Sequence, residues 1–481
     1  MKKNLIVYLL TILVFGAGIY LTLSAGKRLE ASREMPATAA AQTEAAQSHA
    51  PVGGIQMLRE NLHAPLSLLL LQLILIVLFA RLFGGLFVKI GQPAVVGEML
   101  AGIVLGPSVV GSLFPGVFQF VFPADSLGAL RMLSQVGIIL FMFVVGMELD
   151  VAHLRRKADT AVLVSHISII FPYFLGVLFS YFIFRSFAPA NVAFLSFALF
   201  MGIAMSITAF PVLARIIEER NLSGTFLGTT AITCAAVGDV TAWGILAFVV
   251  ALAKSEGAGG SVLTIGLAIA FIVLMFFVGR PLLGRLISAR LPVSGIPSRG
   301  TVVGILVLVF GAALFTEVIG IHALFGAFLA GVVLPANVAF RSHLREKLES
   351  FSSTFLLPLF FAFTGLRTQI GLLHGWEGWI VCAGLITAAT LGKLGGSMAA
   401  ARWTGMNWHD SFCLGALMNT RGLVELIVLN VGYDLGILSA RVFAMTIVMA
   451  LVTTAITGPL LSLAGIFYRS HESLDARSRI A

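Results

Sequence analysis

Among the residues able to do reversible chemistry, Asp239 stands out. It sits in Ala231-Ile232-Thr233-Cys234-Ala235-Ala236-Val237-Gly238-Asp239-Val240-Thr241-Ala242-Trp243, among small, hydroxylated and apolar neighbours. A carboxylate inside a long apolar run is costly to bury and is rarely kept there without a task. Low-dielectric surroundings favour the neutral, protonated carboxyl, whereas a bound cation favours the carboxylate. One such group holds a proton or a cation, but not both. If it opened to one side of a membrane at a time, that competition would couple two fluxes. The plainer alternative is a structural Asp that caps a broken helix.

Lys393 lies in Leu391-Gly392-Lys393-Leu394-Gly395-Gly396, again inside an apolar run. Its ammonium could pair with Asp239, compete with it as a surrogate cation, cap a broken helix end, or serve as a purely structural charge. Arg421 and Glu425 stand four apart, so on a helix they share a face and can pair, which reads as structural support. Two stretches would interrupt helices at mid-span: Ser206-Ile207-Thr208-Ala209-Phe210-Pro211 and Asn419-Thr420-Arg421-Gly422. Pro211 removes a backbone donor and Gly422 loosens the chain. Glu98, His166 and His322 read as an interfacial charge and two hydrogen-bonded packing histidines. The aromatic run Phe355 to Phe363 reads as a lipid-facing or packing surface.

The elements that position these residues follow from composition. Of 481 residues, 58% are hydrophobic and 11% charged, where a soluble surface needs about a quarter. Apolar runs of 18 or more residues recur from Leu66 onward, each able to cross about 30 Å of hydrocarbon. The 50 glycines fit close helix packing. The expected fold class is therefore an all-α polytopic membrane protein in contact with lipid. The net charge of +9 is scattered in short loops, which marks topology and excludes a nucleic-acid surface. The three cysteines fall inside apolar segments and form no disulfide framework. No glycine loop ending in Lys-Ser/Thr and no paired Cys/His spacing occurs, so neither an ATP-driven pump nor a zinc site is indicated, and no cofactor or enzyme activity is expected.

Residues 1–26 read as a signal anchor or signal peptide. Residues 27–63 read as a flexible extracytoplasmic linker. Residues 64–467 read as a transmembrane domain, and 468–481 as a short cytoplasmic tail. Thirteen spans are expected, at about 66–88, 93–110, 130–149, 161–184, 192–218, 226–254, 262–287, 301–316, 318–334, 352–373, 376–402, 409–430 and 438–467. With the N-terminus inside, twenty of the 31 basic residues fall on the cytoplasmic side and five in the outer short loops, the bias the positive-inside rule predicts. Thirteen divides as six, one and six. A shift of seven pairs the fifth span with the twelfth in opposite orientations, and both are interrupted. Broken helices at matching positions of an inverted repeat point to a binding site near the midplane.

Several motifs are similar to those of the monovalent cation:proton antiporter family, in the branch of Kef-type bacterial systems and plant cation/proton exchangers. They are Ser206-Ile207-Thr208-Ala209-Phe210-Pro211-Val212-Leu213-Ala214-Arg215, Ile319 through Phe328, Asn419 through Ile427, and Gln92-Pro93 through Gly106-Pro107. The resemblance implies a homodimer with a dimerisation domain and a mobile core domain moving in an elevator-like way. It implies an antiporter core in which Asp239 is the essential cation- and proton-binding carboxylate, so that a monovalent cation, Na⁺ or K⁺, binds there. Thr208 would lie at the crossing of the unwound segments, with Ser206 beside it, and Lys393 would match the family's basic core residue. Many members carry Asp, Asn or Gln just before the essential Asp, where this chain has Gly238. Members with one aspartate tend to be electroneutral, so one cation per proton is expected. A bacterial inner-membrane location is expected. A sodium-coupled symporter of an organic anion and a non-transporting membrane sensor are the alternatives.

Overall fold

The computed structural model describes residues 2–30, 61, 64–148, 158–220, 222, 225–254, 258–290, 297–335 and 337–478. The expected linker therefore lies, apart from its first residues and Asn61, outside the described residues. The N-terminal helix Lys2–Glu30 runs past the boundary expected at residue 26, and the last helix, Ala440–Ser478, runs on into the expected tail.

Among the described residues every regular element is helical. The helix Pro65–Lys89 shows how the fold meets its surroundings. Leu66, Leu70, Ile74, Leu78, Leu82 and Leu86 are all exposed, while Leu68, Gln72, Ile76, Ala80 and Gly84 are buried. Both rows repeat every four residues, so they follow two faces of one helix. An outward stripe of large aliphatic side chains cannot be hydrated cheaply, but it matches hydrocarbon chains. The protein is an integral, multi-pass membrane protein.

Each of the thirteen expected spans coincides with a helix or a broken pair of helices, with differences at several ends. In the span expected over 93–110 the helix Ala94–Leu105 ends where Gly106 takes an extended conformation, and a short helix, Val110–Leu113, follows. The span expected over 318–334 is helical only as Ala323–Val332. Gly320 (φ +91°) and His322 (φ +127°) occupy the left-handed region there, and Glu317 Oε2 accepts the N–H of Ala323 at 2.8 Å to cap the new helix. The span expected at 352 is preceded by a polar helix, Val338–Phe351, that feeds into it through a wide turn over Ser352–Leu356. The run Phe360, Phe361 and Phe363 is buried, so its role is packing.

Glycine sets the closest approach. A Cβ on Gly102 would stand 2.2 Å from the Ala362 carbonyl oxygen, and one on Gly365 would stand 2.5 Å from the Ile103 nitrogen. The helices Ala94–Leu105 and Leu357–Leu366 thus touch backbone to backbone. The N-terminal helix packs on Ala158–Phe187 through Tyr8 on His166 (5.3 Å between ring centres) and Phe15 on Phe171 and Phe174 (5.2 Å each). His166 also bonds Val162 O at 2.7 Å, a packing role. At the end of the bundle carrying Arg131 and Arg367, both guanidiniums pair with Asp434, at 3.1 and 2.5 Å. They border a cavity of about 250 Å³ that His322 and Glu317 also line.

Candidate functional site

Two broken helices build the site. The first leaves its helix after Ser206, runs extended through Ile207 (ψ 139°) and Ala209 (ψ 96°), and resumes as Phe210–Glu219. Pro211 lies in the first turn of that second half, where its missing N–H costs nothing. The interruption therefore precedes the proline, which lets the helix restart. The second runs as Trp408–Met418, opens over Thr420–Gly422, and resumes as Leu423–Asp434 at a bend of 42°. Gly422 is close to fully extended, and a Cβ on it would meet Val212 Cγ2 at 2.8 Å. Gly422 therefore gives room for the crossing.

Every broken helix leaves carbonyls at its C-terminal end without partners. Within a bilayer water cannot supply them, so the protein must. Each opened segment serves the other helix. Arg421 donates to the carbonyls of Ala204 and Met205, both at 2.8 Å, at the C-terminal end of Phe194–Ser206. Thr208 Oγ1 donates to the Met418 carbonyl at 2.9 Å, at the C-terminal end of Trp408–Met418. The Ala209 N–H donates to Thr420 O at 3.0 Å and ties the two crossings together. Ser206 Oγ lies 2.7 Å from the carbonyl of Gly202 and 3.1 Å from that of Ile169. Asn419 Nδ2 reaches Thr453 O at 3.4 Å.

Cations back both ends. Lys393 Nζ donates to Thr208 Oγ1 at 2.7 Å and to Ser168 Oγ at 3.2 Å, so Thr208 relays its charge to the Met418 carbonyl. Arg421 also donates to Glu425 Oε1 at 2.9 Å, the i,i+4 pair expected from spacing, with both side chains fully buried. The two C-terminal ends carry partial negative charge, and one fixed cation answers each. Lys393 sits in a wide helical turn, Leu391–Gly395, and a Cβ on Gly392 would meet Pro172 Cα at 3.0 Å. That close approach fixes where the ammonium projects.

Asp239 is different. It is 2% exposed on the helix Phe226–Lys254, it interacts electrostatically with Lys393, and neither carboxylate oxygen has a hydrogen-bond partner. The Lys393 ammonium gives two of its three donors to Thr208 and Ser168. Of the four roles open to Lys393, capping a broken helix end is the one its bonds perform.

Ser206, Thr208, Lys393, Asn419, Arg421 and Glu425 are thus linked around one crossing through shared helix ends. Thr420 is buried there with its hydroxyl unpaired, and Gly238 precedes Asp239 on its helix. Sequence reasoning missed Ser168, which holds Lys393, and Thr454, whose hydroxyl bonds the Arg421 carbonyl at 2.8 Å. Hydroxyls inside apolar spans are the signal, but many others simply bond their own helix, as Ser180 does to Gly176 O.

The family model described as sodium/hydrogen exchanger, transmembrane, matches residues 74–465. The chain belongs to this family. Among curated relatives, the Na(+)/H(+) antiporter NhaS4 of Synechocystis is 44% identical over 396 residues, covering 82% of this chain and 96% of that protein. Cation/H(+) antiporter 17 of Arabidopsis thaliana is 40% identical over 399 residues, and there the chain spans 48% of the relative's length. The structure of the sodium proton antiporter MjNhaP1 from Methanocaldococcus jannaschii has a TM-score of 0.61 at 14% identity, covering 82% of this chain and 98% of that one. At that identity the likeness shows the shared fold. The family is one of membrane transporters.

Proposed function

We propose that this protein exchanges Na⁺ or K⁺ for protons across the membrane by alternating access, with Asp239 as the group that carries either ion. One observation carries the reading. Asp239 is a buried carboxylate with both oxygens unpaired, while Lys393, the cation whose charge acts on it, donates to Thr208 and Ser168. An unpaired buried carboxylate is unstable unless it binds a proton or a cation, and those are the two states an exchanger alternates between.

In this mechanism Thr208 and Lys393 hold the opened segment beside Asp239, and the ammonium offsets the carboxylate when no cation is bound. Ser206, Asn419, Thr420, Arg421 and Glu425 keep the crossing in shape, and Pro211 and Gly422 let both helices restart. With glycine at 238 a single carboxylate titrates, so one cation exchanges for one proton and no net charge moves. The working unit is a homodimer whose core domains move against a fixed scaffold, in a bacterial plasma membrane.

The test uses purified protein in liposomes with an internal pH dye. Imposed Na⁺ or K⁺ gradients are expected to drive proton movement, and Asp239→Asn is expected to abolish it. Equal proton movement by Asp239→Asn would sink the reading, as would cation-dependent uptake of an organic anion without proton counterflow.

A further inference from the structure

One buried group beside the site has no assigned task. Ser165, on the helix Ala158–Phe187, is fully buried, and its hydroxyl has no hydrogen-bond partner. Buried serines in apolar helices ordinarily return their hydroxyl to the carbonyl four residues back, as Ser180 does at 2.7 Å on the same helix. Ser165 Oγ instead faces the helix Phe226–Lys254, where a Cβ on Gly238 would lie 3.4 Å from it. One turn further along, Ser168 accepts from Lys393, whose charge acts on Asp239. An unpaired buried hydroxyl thus stands beside the residue that precedes an unpaired buried carboxylate, on an adjoining helix.

We propose that Ser165 Oγ is a further oxygen ligand of the cation at Asp239, occupying the space that a side chain at position 238 would fill. This rests on the exchange role of Asp239 proposed above. A desolvated monovalent cation needs several oxygens in place of its hydration shell, and one carboxylate supplies too few. A neutral hydroxyl adds a ligand without adding a titrating group, so the one-for-one exchange is kept. Because Ser165 and Asp239 come from different helices, the gap between these helices sets which ion radius is held best. Ser165 is then a determinant of ion choice.

The experiment compares half-saturating cation concentrations for Li⁺, Na⁺, K⁺ and Rb⁺ in proteoliposomes. Ser165→Ala is expected to raise the value for the preferred ion by about fivefold or more, as loss of one contact to a charged group does, and to narrow the spread among ions. Adding Gly238→Ser to Ser165→Ala places a hydroxyl in the vacated space and is expected to restore much of the affinity. Ser180→Ala, a buried serine already bonded to its own helix, is expected to change neither quantity. If Ser165→Ala does not yield folded protein, Ser165→Cys keeps the volume, replaces the hard oxygen with sulfur, and carries the same expectation. Unchanged half-saturation and unchanged ion order in the Ser165 variant, with Asp239→Asn inactive, would overturn this inference alone. An active Asp239→Asn would overturn the exchange reading beneath it.

Discussion

Arg421 offers the sharpest test of how the crossing is held. Its guanidinium is fully buried and makes three bonds, to Ala204 O, Met205 O and Glu425 Oε1, at 2.8, 2.8 and 2.9 Å. Arg421→Met removes all three while filling much of the space. It strands the Glu425 carboxylate, whose Oε1 loses Arg421 and whose Oε2 already has no partner, and uncaps a half-helix. Breaking a buried pair from one side costs about 3–5 kcal/mol, and each orphaned carbonyl adds about 1–3 kcal/mol. The two carbonyls together add about 2–6 kcal/mol, comparable with the stranded charge, so removing that charge as well should return its share of the loss. The double variant Arg421→Met/Glu425→Leu is therefore expected to be more stable than Arg421→Met alone, although it has lost more polar contacts. Thermal midpoints in one detergent at one scan rate, read as loss of the monodisperse peak, give the order directly. If the two single changes simply add, so that the double variant melts lowest, the buried pair is not coupled and the account of Arg421 is wrong.

Two further changes probe other parts of the argument. A Cβ at Gly238 meets Ser165 Oγ at an ordinary 3.4 Å, so Gly238→Asp should fold. It would set a second carboxylate beside the first and is expected to make exchange rates follow an imposed membrane potential, where the parent protein's do not. Identical voltage responses in both would contradict the single-carboxylate account. Gly102→Val is expected to abolish folded protein in the membrane fraction, because its Cβ would lie 2.2 Å from the Ala362 carbonyl oxygen, with backbone on both sides. Normal yield and an unchanged melting midpoint would show that those helices are free to separate.

The sequence by itself determined the spans, the interruptions and the Arg421–Glu425 pair. Each is a local property: run length against the thickness of hydrocarbon, the backbone habits of Pro211 and Gly422, and a four-residue spacing on one helix. Asp239 was legible for the same reason, since its cost is set by the apolar run around it. The tertiary structure alone decided who serves whom. Lys393 bonds Thr208 across 185 residues, and Arg421 caps Ala204 across 217. Such pairings depend on the rotation and depth of each helix in the bundle, which hydropathy does not encode. For the same reason Ser168 emerged only from the fold, as did the unpaired hydroxyl of Ser165. An apolar helix with a serine reads alike whether that serine returns to its own backbone or faces a neighbouring helix. Asp239 was expected beside Lys393, and the structure sharpened that expectation: the lysine holds the broken helix, and the carboxylate is left unpaired.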